Sequence, residues 1–194
     1  MNYIKTIGVN IIVLVTAFVS TGFALFLDGR LGLTRYTSPY ATIAGLTLIL
    51  YGLFFRFWAS YTFYQNDLKV LDLKPQQRFI AKGPYNYTRN PLYVGIIAIS
   101  FGFVIYAGSV VGLIGAAFIP FLGWTLWVVY HEEKGLEQKF GDEYRAYKYT
   151  VPRWVGIKAL LPMVAIFLFV IITIFGFVFN HINPREIFPL NKTL

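Results

Sequence analysis

The first stretch of the chain that could do chemistry runs from Lys82 to Gly95 and reads KGPYNYTRNPLYVG. A glycine–proline turn opens it, and Asn90 followed by Pro91 is typical of the N-cap and first residue of a helix. Such a helix end presents unpaired backbone N–H groups and the positive end of the helix dipole, and here Arg89 stands beside them. The segment is therefore a candidate site for a carboxylate or a phosphate.

Three tyrosines accompany this helix start, namely Tyr85, Tyr87 and Tyr93. The face of an aromatic ring can hold a cation, and a sulfonium is one such cation. Tyrosine and arginine also anchor proteins at membrane surfaces, which is the simpler interpretation of each residue taken alone. The combination of turn, cap, arginine and spaced tyrosines favours a binding site.

A second polar stretch runs from His131 to Tyr147 and reads HEEKGLEQKFGDEYRAY. Glu132 and Glu133 would point about 100° apart on a helix, so that one can face the protein interior while the other faces water. An inward carboxylate could hold an ammonium group or ribose hydroxyls. Large apolar residues recur at three- and four-residue steps and predict an amphipathic interfacial helix: Leu136, Phe140, Tyr144 and Tyr147. A solvated surface helix with no binding role is the alternative.

Metal and thiol chemistry are not expected. The chain has no cysteine and two histidines, His131 and His181, which lie far apart. His131-Glu132 resembles the start of a zinc-protease helix, but the position four residues after the histidine is Gly135, so the motif fails.

The elements that position these residues are membrane helices. The 194 residues are 57% hydrophobic and only 13% charged, yet the formal net charge is +8, which suits a membrane protein with basic loops. A nucleic-acid partner is not expected, because no long hydrophilic basic face exists to follow phosphates.

We expect an all-α fold, a polytopic bundle of about five membrane-spanning helices that forms one domain over residues 1–194. A span needs about 20 mostly apolar residues. The third and fourth predicted spans are separated only by Ala107-Gly108 and should form a tight hairpin, and small residues at 95, 102, 108, 112 and 116 favour close helix packing. The predicted spans are Ile7–Leu27, Tyr40–Trp58, Pro91–Tyr106, Ser109–Tyr130 and Ala159–Phe179.

The lysines and arginines predict the orientation of these spans. Six lie within Arg56–Arg89 and six within Lys134–Lys158. If the chain crosses the membrane five times, both basic segments lie on the same side of the membrane. Basic loops favour the cytoplasm. The N-terminus and both polar stretches should therefore be cytoplasmic, and the C-terminus should lie outside.

The two polar stretches together resemble the isoprenylcysteine carboxyl methyltransferases and the related phospholipid methyltransferases. The resemblance covers about residues 82–154. The first family signature, an arginine–histidine–proline–x–tyrosine string ending in glycine, corresponds to Arg89–Gly95. The second, a glutamate pair followed by Leu and Phe-Gly-x-x-Tyr-x-x-Tyr, corresponds to Glu132–Tyr147, and a later family arginine matches Arg153. Asn90 departs from the pattern, because the family often has histidine there; asparagine can cap a helix and donate a hydrogen bond but carries no charge.

This resemblance implies a methyltransferase that uses S-adenosylmethionine and modifies a lipophilic substrate taken from the bilayer. The substrate class stays open among a carboxylate, an amine and a thiol. Arg89 or Arg153 would orient a carboxylate, and Glu132 would accept a proton from an amine. The implied cofactor-binding residues are Tyr85, Tyr87, Arg89, Asn90, Pro91, Tyr93, Gly95, Glu133, Tyr144 and Tyr147.

Two alternatives remain at this point. A membrane reductase of the sterol-reductase type, dependent on NADPH, shares a similar arginine–proline–tyrosine region, although a dinucleotide needs more basic groups for its phosphates. The other alternative is a non-enzymatic membrane protein, such as a small transporter. Charges inside the spans would favour a transporter, but the predicted spans contain only Arg56, which lies near the end of one span.

Overall fold

A computed structural model describes residues 2–66 and 80–158 of the chain, together with residues 164–166, 168 and 172. Within these residues the structure is helical and has no strand. A 3₁₀ turn at Gly83–Asn86 precedes α3, and π-helical turns at Gly112–Phe118 and Val128–Glu132 flank α4. The α-helices whose bounds lie within the described residues are α1 (Asn2–Arg30), α2 (Pro39–Gln65), α3 (Pro91–Ala107), α4 (Ile119–Trp127) and α5 (Glu133–Thr150).

Two described helices are long and apolar enough to cross a membrane. They are the 24 residues Ile7–Arg30 of α1 and the 27 residues of α2. The apolar helix α3 is shorter, with 17 residues, and π turns interrupt the predicted fourth span on both sides of α4. The predicted fifth span, Ala159–Phe179, lies largely outside the described residues, so the number of five spans stays a prediction.

The start of α2 follows directly from local sequence. Ser38 is the N-cap, and its side-chain oxygen accepts a hydrogen bond from the Ala41 N–H at 3.1 Å. Pro39 occupies the first helical position, where its missing N–H has no helical partner to lose. The helix continues to Gln65, about two turns past the predicted end at Trp58, because Ala59–Phe63 includes residues buried against the rest of the protein.

Helices α2 and α3 pack antiparallel through two pairs of glycines. A Cβ built on Gly45 would lie 2.8 Å from the Gly102 carbonyl oxygen, and one built on Gly52 would lie 2.6 Å from that of Gly95. The reciprocal substitutions at Gly102 and Gly95 would each place a Cβ 2.8 Å from the partner's oxygen. Glycine at all four positions therefore allows the two backbones to approach closely.

Helix α3 ends at Gly108, whose φ of 69° and ψ of 32° lie in the left-handed region that glycine enters readily. The chain then becomes helical again, and Asp28 at the end of α1 supports the new helix start. One oxygen of Asp28 accepts a hydrogen bond from the Val111 N–H at 2.8 Å, while Ser109 Oγ accepts one from the Gly112 N–H at 2.9 Å.

Helix α5 differs from the continuous amphipathic helix that the sequence predicts. Gly141 has φ 52° and ψ −125°, so the helix is kinked at that residue. The expected apolar face is nevertheless formed, because Tyr144 and Tyr147 are buried and Leu136 and Phe140 pack against them. The kink arises because only glycine enters this backbone conformation easily.

Candidate functional site

The two polar stretches meet where α3 begins. Arg89, just before α3, lies with its Nη1 atom 3.1 Å from Glu133 Oε1 at the start of α5. The Tyr93 hydroxyl and the Glu132 carboxyl are hydrogen-bonded. Tyr147 donates a hydrogen bond to the Tyr85 carbonyl oxygen at 2.7 Å. The protein thus gathers residues from both stretches into one site, although their roles in binding a cofactor stay a prediction.

Three hydrogen bonds from residues 88–90 to the carbonyl oxygens of residues 152 and 153, called the clasp below, join this site to the segment that follows α5. The Arg89 N–H donates to the Pro152 carbonyl oxygen at 2.9 Å. The Thr88 hydroxyl and the Asn90 side-chain amide both donate to the Arg153 carbonyl oxygen at 3.0 Å. Thr88 is fully buried and Asn90 almost so, so water does not compete for these bonds. The clasp fixes Arg153 beside the start of α3.

Asn90 occupies the predicted N-cap position, and Pro91 occupies the first position of α3. The Asn90 side chain, however, makes no capping hydrogen bond. Its amide instead holds the Arg153 carbonyl. The residue that replaces the family's histidine therefore stabilises the connection to residues 152–153, a contact that the local sequence pattern does not reveal.

Glu133 binds two arginines and is almost completely buried. Arg153 donates from Nε to Oε1 at 3.0 Å and from Nη2 to Oε2 at 2.8 Å, a two-point contact that engages both carboxylate oxygens. This contact with Glu133 raises the pKa of Arg153 above its ordinary value, so the arginine stays charged. Since the guanidinium of Arg153 already faces a carboxylate, little of its binding capacity remains for a second one.

Arg89 retains hydrogen-bonding capacity at the centre of the site. Its Nη1 is close to Glu133, but the N–H group is not aligned with the oxygen. Among the described residues, neither Nη1 nor Nε of Arg89 has a hydrogen-bond partner, although Tyr144 bonds elsewhere on the guanidinium. Buried donors are nearly always satisfied in proteins, so these two atoms indicate a place for an acceptor group that comes from outside the described chain.

Glu132 lies in the π turn that leads into α5 and is partly buried. Burial raises the pKa of its carboxyl above the usual 4.5; the hydrogen bond with Tyr93 opposes this, and the charge of Glu133 adds to it. Its Oε2 atom is buried and has no hydrogen-bond partner among the described residues. Glu133 is thus buried and Glu132 partly buried, with the Oε2 atom of Glu132 out of contact with solvent. The π turn, a feature frequent at functional sites, ends at Glu132 and changes the helical register immediately before Glu133.

The tyrosines of the site act as neutral groups. Burial raises the pKa of Tyr144 to about 12. Burial also raises the pKa values of Tyr85 and Tyr147 above the ordinary value of 10. Each phenol therefore keeps its proton at neutral pH. They can donate hydrogen bonds and present aromatic faces, but they are not bases.

Two of the predicted cofactor-binding residues lie apart from this cluster. The Tyr87 ring packs on Trp58 at a centroid distance of 5.4 Å, within an apolar group that includes Phe55. Gly95 faces α2, where the Arg56 side chain crosses it. Both residues lie on elements that form the site, but Tyr87 contacts Trp58 and Gly95 lies against the aliphatic part of Arg56.

Two residues of the site were missing from the predicted set. Trp127 hydrogen-bonds the Tyr93 hydroxyl, and nothing in the sequence distinguishes it from an interfacial anchor. Arg56 is buried beneath the start of α3, and its charge acts on Tyr85. A signal for Arg56 did exist, because a charged residue in an apolar span usually has a function.

The residues at this site fit an S-adenosyl group better than a metal. Among the described residues there is no cluster of three histidine, cysteine, aspartate or glutamate side chains. The unsatisfied donors of Arg89 suit a carboxylate, and the unsatisfied oxygen of Glu132 suits an amine or hydroxyl donor. Aromatic rings stand beside both.

Comparison with known protein families identifies the chain. The phospholipid methyltransferase family model matches residues 40–143, more than half of the sequence. The chain belongs to the phospholipid methyltransferase family. No curated protein and no solved structure matches it.

The match confirms the resemblance drawn from the two polar stretches and supports a membrane methyltransferase. It begins at α2 and ends within α5, so that it includes Arg56, the start of α3 and the glutamate pair, and it stops before Tyr144, Tyr147 and Arg153. Family membership favours methyl transfer over the reductase and transporter alternatives.

Proposed function

We propose that this protein transfers a methyl group from S-adenosylmethionine to an amine on a lipophilic membrane substrate. The observation that carries the proposal is Glu132 Oε2, a buried acceptor with no hydrogen-bond partner among the described residues, located beside Tyr93 and next to the ion-paired Glu133. An amine N–H would satisfy this oxygen, and a buried carboxyl with a raised pKa is suited to receive the proton that the amine loses.

An amine is a better match than the other two acceptor classes. A carboxylate acceptor needs a free arginine to orient it, but Arg153 already engages both oxygens of Glu133, and Arg89 is assigned below to the carboxylate of the cofactor. It would also meet the Glu132 carboxyl, which holds a negative charge once it loses its proton. A thiol could lose its proton to Glu132, but its S–H is a weak hydrogen-bond donor and would satisfy Oε2 poorly.

Arg89 is our candidate to hold the carboxylate of the cofactor. Its Nε has no hydrogen-bond partner among the described residues, and its Nη1, although 3.1 Å from Glu133 Oε1, is not hydrogen-bonded to it. The rings of Tyr85 and Tyr93 can stabilise a sulfonium through their faces. When bound, S-adenosylmethionine supplies the methyl carbon: the amine lone pair forms the new N–C bond while the S–C bond breaks and its electron pair passes to sulfur, leaving S-adenosylhomocysteine.

The chain's own groups then contribute alignment and one proton acceptor. Displacement at a methyl carbon depends chiefly on in-line placement of the reactants, a source of rate that can amount to about 7–11 kcal/mol. Arg89 and Glu133 hold the cofactor side of the site, and Glu132 with Tyr93 holds the amine. Glu132 takes the proton released by the methylated nitrogen and passes it to water.

An apolar cavity beside the polar groups supports a lipophilic substrate. It has a volume of about 310 Å³, within the range of ligand pockets. Two of its lining residues, Val94 and Trp154, directly follow Tyr93 and Arg153 of the site in the sequence. Its lining combines residues of α2 and α3 with three from elsewhere: Leu48, Tyr51, Val94, Ile97, Ala98, Phe101, Phe121, Trp154 and Val155.

The proposed enzyme is a single membrane domain over residues 1–194 with five spans. The distribution of lysine and arginine supports a cytoplasmic N-terminus and site and an external C-terminus. In this orientation the cofactor reaches the start of α3 from the cytoplasm, and the lipid substrate enters from the bilayer.

The test begins with isothermal titration of the purified protein in nanodiscs with S-adenosylhomocysteine. We expect binding by the wild type and an affinity at least about tenfold lower for Arg89→Ala and Glu133→Ala, since each loses a charge-assisted contact. Asp142→Ala is the matched control, because that side chain is 95% exposed. No binding by the wild type, or undiminished binding by both site variants, would overturn the proposal.

The acceptor class is tested separately with radiolabelled S-adenosylmethionine. Vesicles of dioleoylphosphatidylethanolamine provide an amine, and farnesylated N-acetylcysteine provides a carboxylate. We expect the label in an N-methyl group, whose C–N bond resists alkali. Label found only in an alkali-labile methyl ester would show that the acceptor is a carboxylate. A thermal shift produced by NADPH and not by S-adenosylmethionine would favour the reductase instead.

A further inference from the structure

Arg56 is a buried cation inside α2, one of the two described helices able to span a membrane. The residue is 2% exposed. Its Nε donates to Asn10 Oδ1 of α1 at 2.7 Å, and its Nη1 donates to the Leu92 carbonyl oxygen of α3 at 3.2 Å. Within the described part of the chain, no carboxylate forms an ion pair with it. A buried charge within an apolar helix is costly, so we expect Arg56 to have a role beyond filling space.

The Arg56 side chain reaches α3 because Gly95 has no side chain. A Cβ at Gly95 would clash with Arg56 Cγ. The Leu92 carbonyl that receives the hydrogen bond belongs to the first turn of α3. That carbonyl lies directly before Tyr93, whose hydroxyl contacts Glu132. Arg56 therefore supports, from inside the bundle, the turn that carries one of the two residues assigned to the amine.

A separate set of contacts holds the residues assigned to the cofactor. Arg89 is fixed by the Pro152 carbonyl, and Glu133 by Arg153. Neither contact involves Arg56 or Asn10. A shift of the first turn of α3 would thus move Tyr93 relative to Glu132 while leaving the contacts around Arg89 and Glu133 in place.

We propose that Arg56, oriented by Asn10, is a positioning residue for methyl transfer that acts through the Leu92 carbonyl on Tyr93. The proposal rests on the function proposed above. It assigns to Gly95, a residue of the family signature, the role of leaving room for an arginine from α2. It also gives α1, which lies outside the matched family region, a part in the reaction through Asn10.

The expected effect is on turnover and not on cofactor affinity. Arg56→Met keeps a similar length without donors, and Asn10→Leu removes the acceptor for Nε. For both variants we expect turnover on dioleoylphosphatidylethanolamine vesicles to fall by about 10- to 100-fold, since displacement by about 1 Å can have such an effect. The affinity for S-adenosylhomocysteine should change by less than about threefold.

Two variants serve as matched controls. Asn10→Asp keeps an oxygen for Arg56 Nε, and it should retain most of the turnover. Thr47→Val removes a buried hydroxyl of α2 that bonds only within its own helix, to the Ile43 carbonyl at 2.8 Å, and it should behave as wild type. If Arg56→Met fails to fold, the comparison of Asn10→Leu with Asn10→Asp still decides the question.

Hydrogen exchange measured by mass spectrometry gives a readout that needs no acceptor. The Val94 N–H closes the first turn of α3 on the Asn90 carbonyl at 2.9 Å. Its exchange should be faster by about tenfold in Asn10→Leu than in Asn10→Asp, as expected when a local contact is lost. Unchanged exchange, or equal losses of turnover and cofactor affinity, would overturn the positioning role. Failure of the wild type to bind S-adenosylhomocysteine would instead refute the proposed function itself.

Discussion

Arg153 and Glu133 form a two-point ion pair across 20 residues of sequence, with N–O distances of 3.0 and 2.8 Å. Glu133 is buried, with 6% of its side chain exposed, whereas Arg153 is 35% exposed. Arg89 contacts the same carboxylate. One buried negative charge therefore balances two positive charges, and it links the start of α3, the start of α5 and the segment after α5.

Removing that negative charge should destabilise the protein. Glu133→Ala leaves two arginines facing each other without a counterion, and we expect a loss of about 3 kcal/mol, the lower part of the range for buried pairs because Arg153 is partly solvated. Thermal unfolding in detergent measures it. Arg153→Lys keeps the charge but loses the planar two-point contact, so it should have a smaller effect. An unchanged melting temperature for Glu133→Ala would contradict this account of the pair.

The carboxyl of Glu132 should make both stability and activity depend on pH. Burial raises its pKa in the folded protein above the 4.5 expected when unfolded. Between those two values the folded state holds a proton that the unfolded state has lost, so this group's contribution to stability decreases as pH rises through the window. Glu132→Gln cannot ionise and should remove that decrease in unfolding experiments from pH 4 upward.

The same substitution should lower activity on an amine. A glutamine side chain at this position cannot accept a proton, and loss of a general base typically lowers the rate by about 100-fold or more. The wild-type rate should increase with pH as Glu132 ionises, with an apparent pKa above 4.5, and the residual rate of Glu132→Gln should lack that step. Radiolabelled methyl transfer into phosphatidylethanolamine vesicles measures both. A variant with the full wild-type rate would exclude Glu132 as the base.

The glycine pairs between α2 and α3 predict a position-dependent effect of a single methyl group. Gly52→Ala places a Cβ 2.6 Å from the Gly95 carbonyl oxygen, and such overpacking destabilises by about 1–3 kcal/mol. Gly22→Ala in α1 is the control, because a Cβ there meets nothing within 4 Å and alanine favours helix. We expect a lower melting temperature for the first and no decrease for the second. Equal behaviour would contradict the close approach of the helices.

The sequence predicts local elements well because their signals are local. Ser38-Pro39 and Asn90-Pro91 mark helix starts, and Gly108 marks a helix end. The same reasoning could not predict the contact of Asn90 with Arg153, since 63 residues separate them. From its position in a motif, Arg153 was predicted to be one of two arginines able to orient a carboxylate substrate, and its ion pair with Glu133 could not be foreseen. A motif lists charged residues but not their partners, and in the structure that partner is Glu133.

Asn90 offers the sharpest test of the clasp between the start of α3 and residue 153. Its side-chain amide donates to the Arg153 carbonyl at 3.0 Å in a nearly buried position. Asn90→Asp would place an oxygen against that oxygen, so we expect a loss of about 2 kcal/mol, as for a buried polar group left without its partner. Asn90→His restores the residue common in the family signature, and a ring N–H can still donate, so its loss should be smaller. Thermal unfolding of the two variants in parallel makes the comparison. A histidine variant that is less stable than the aspartate variant would contradict this account. It would show that the side chain of residue 90 does not hold the clasp by donating a hydrogen bond.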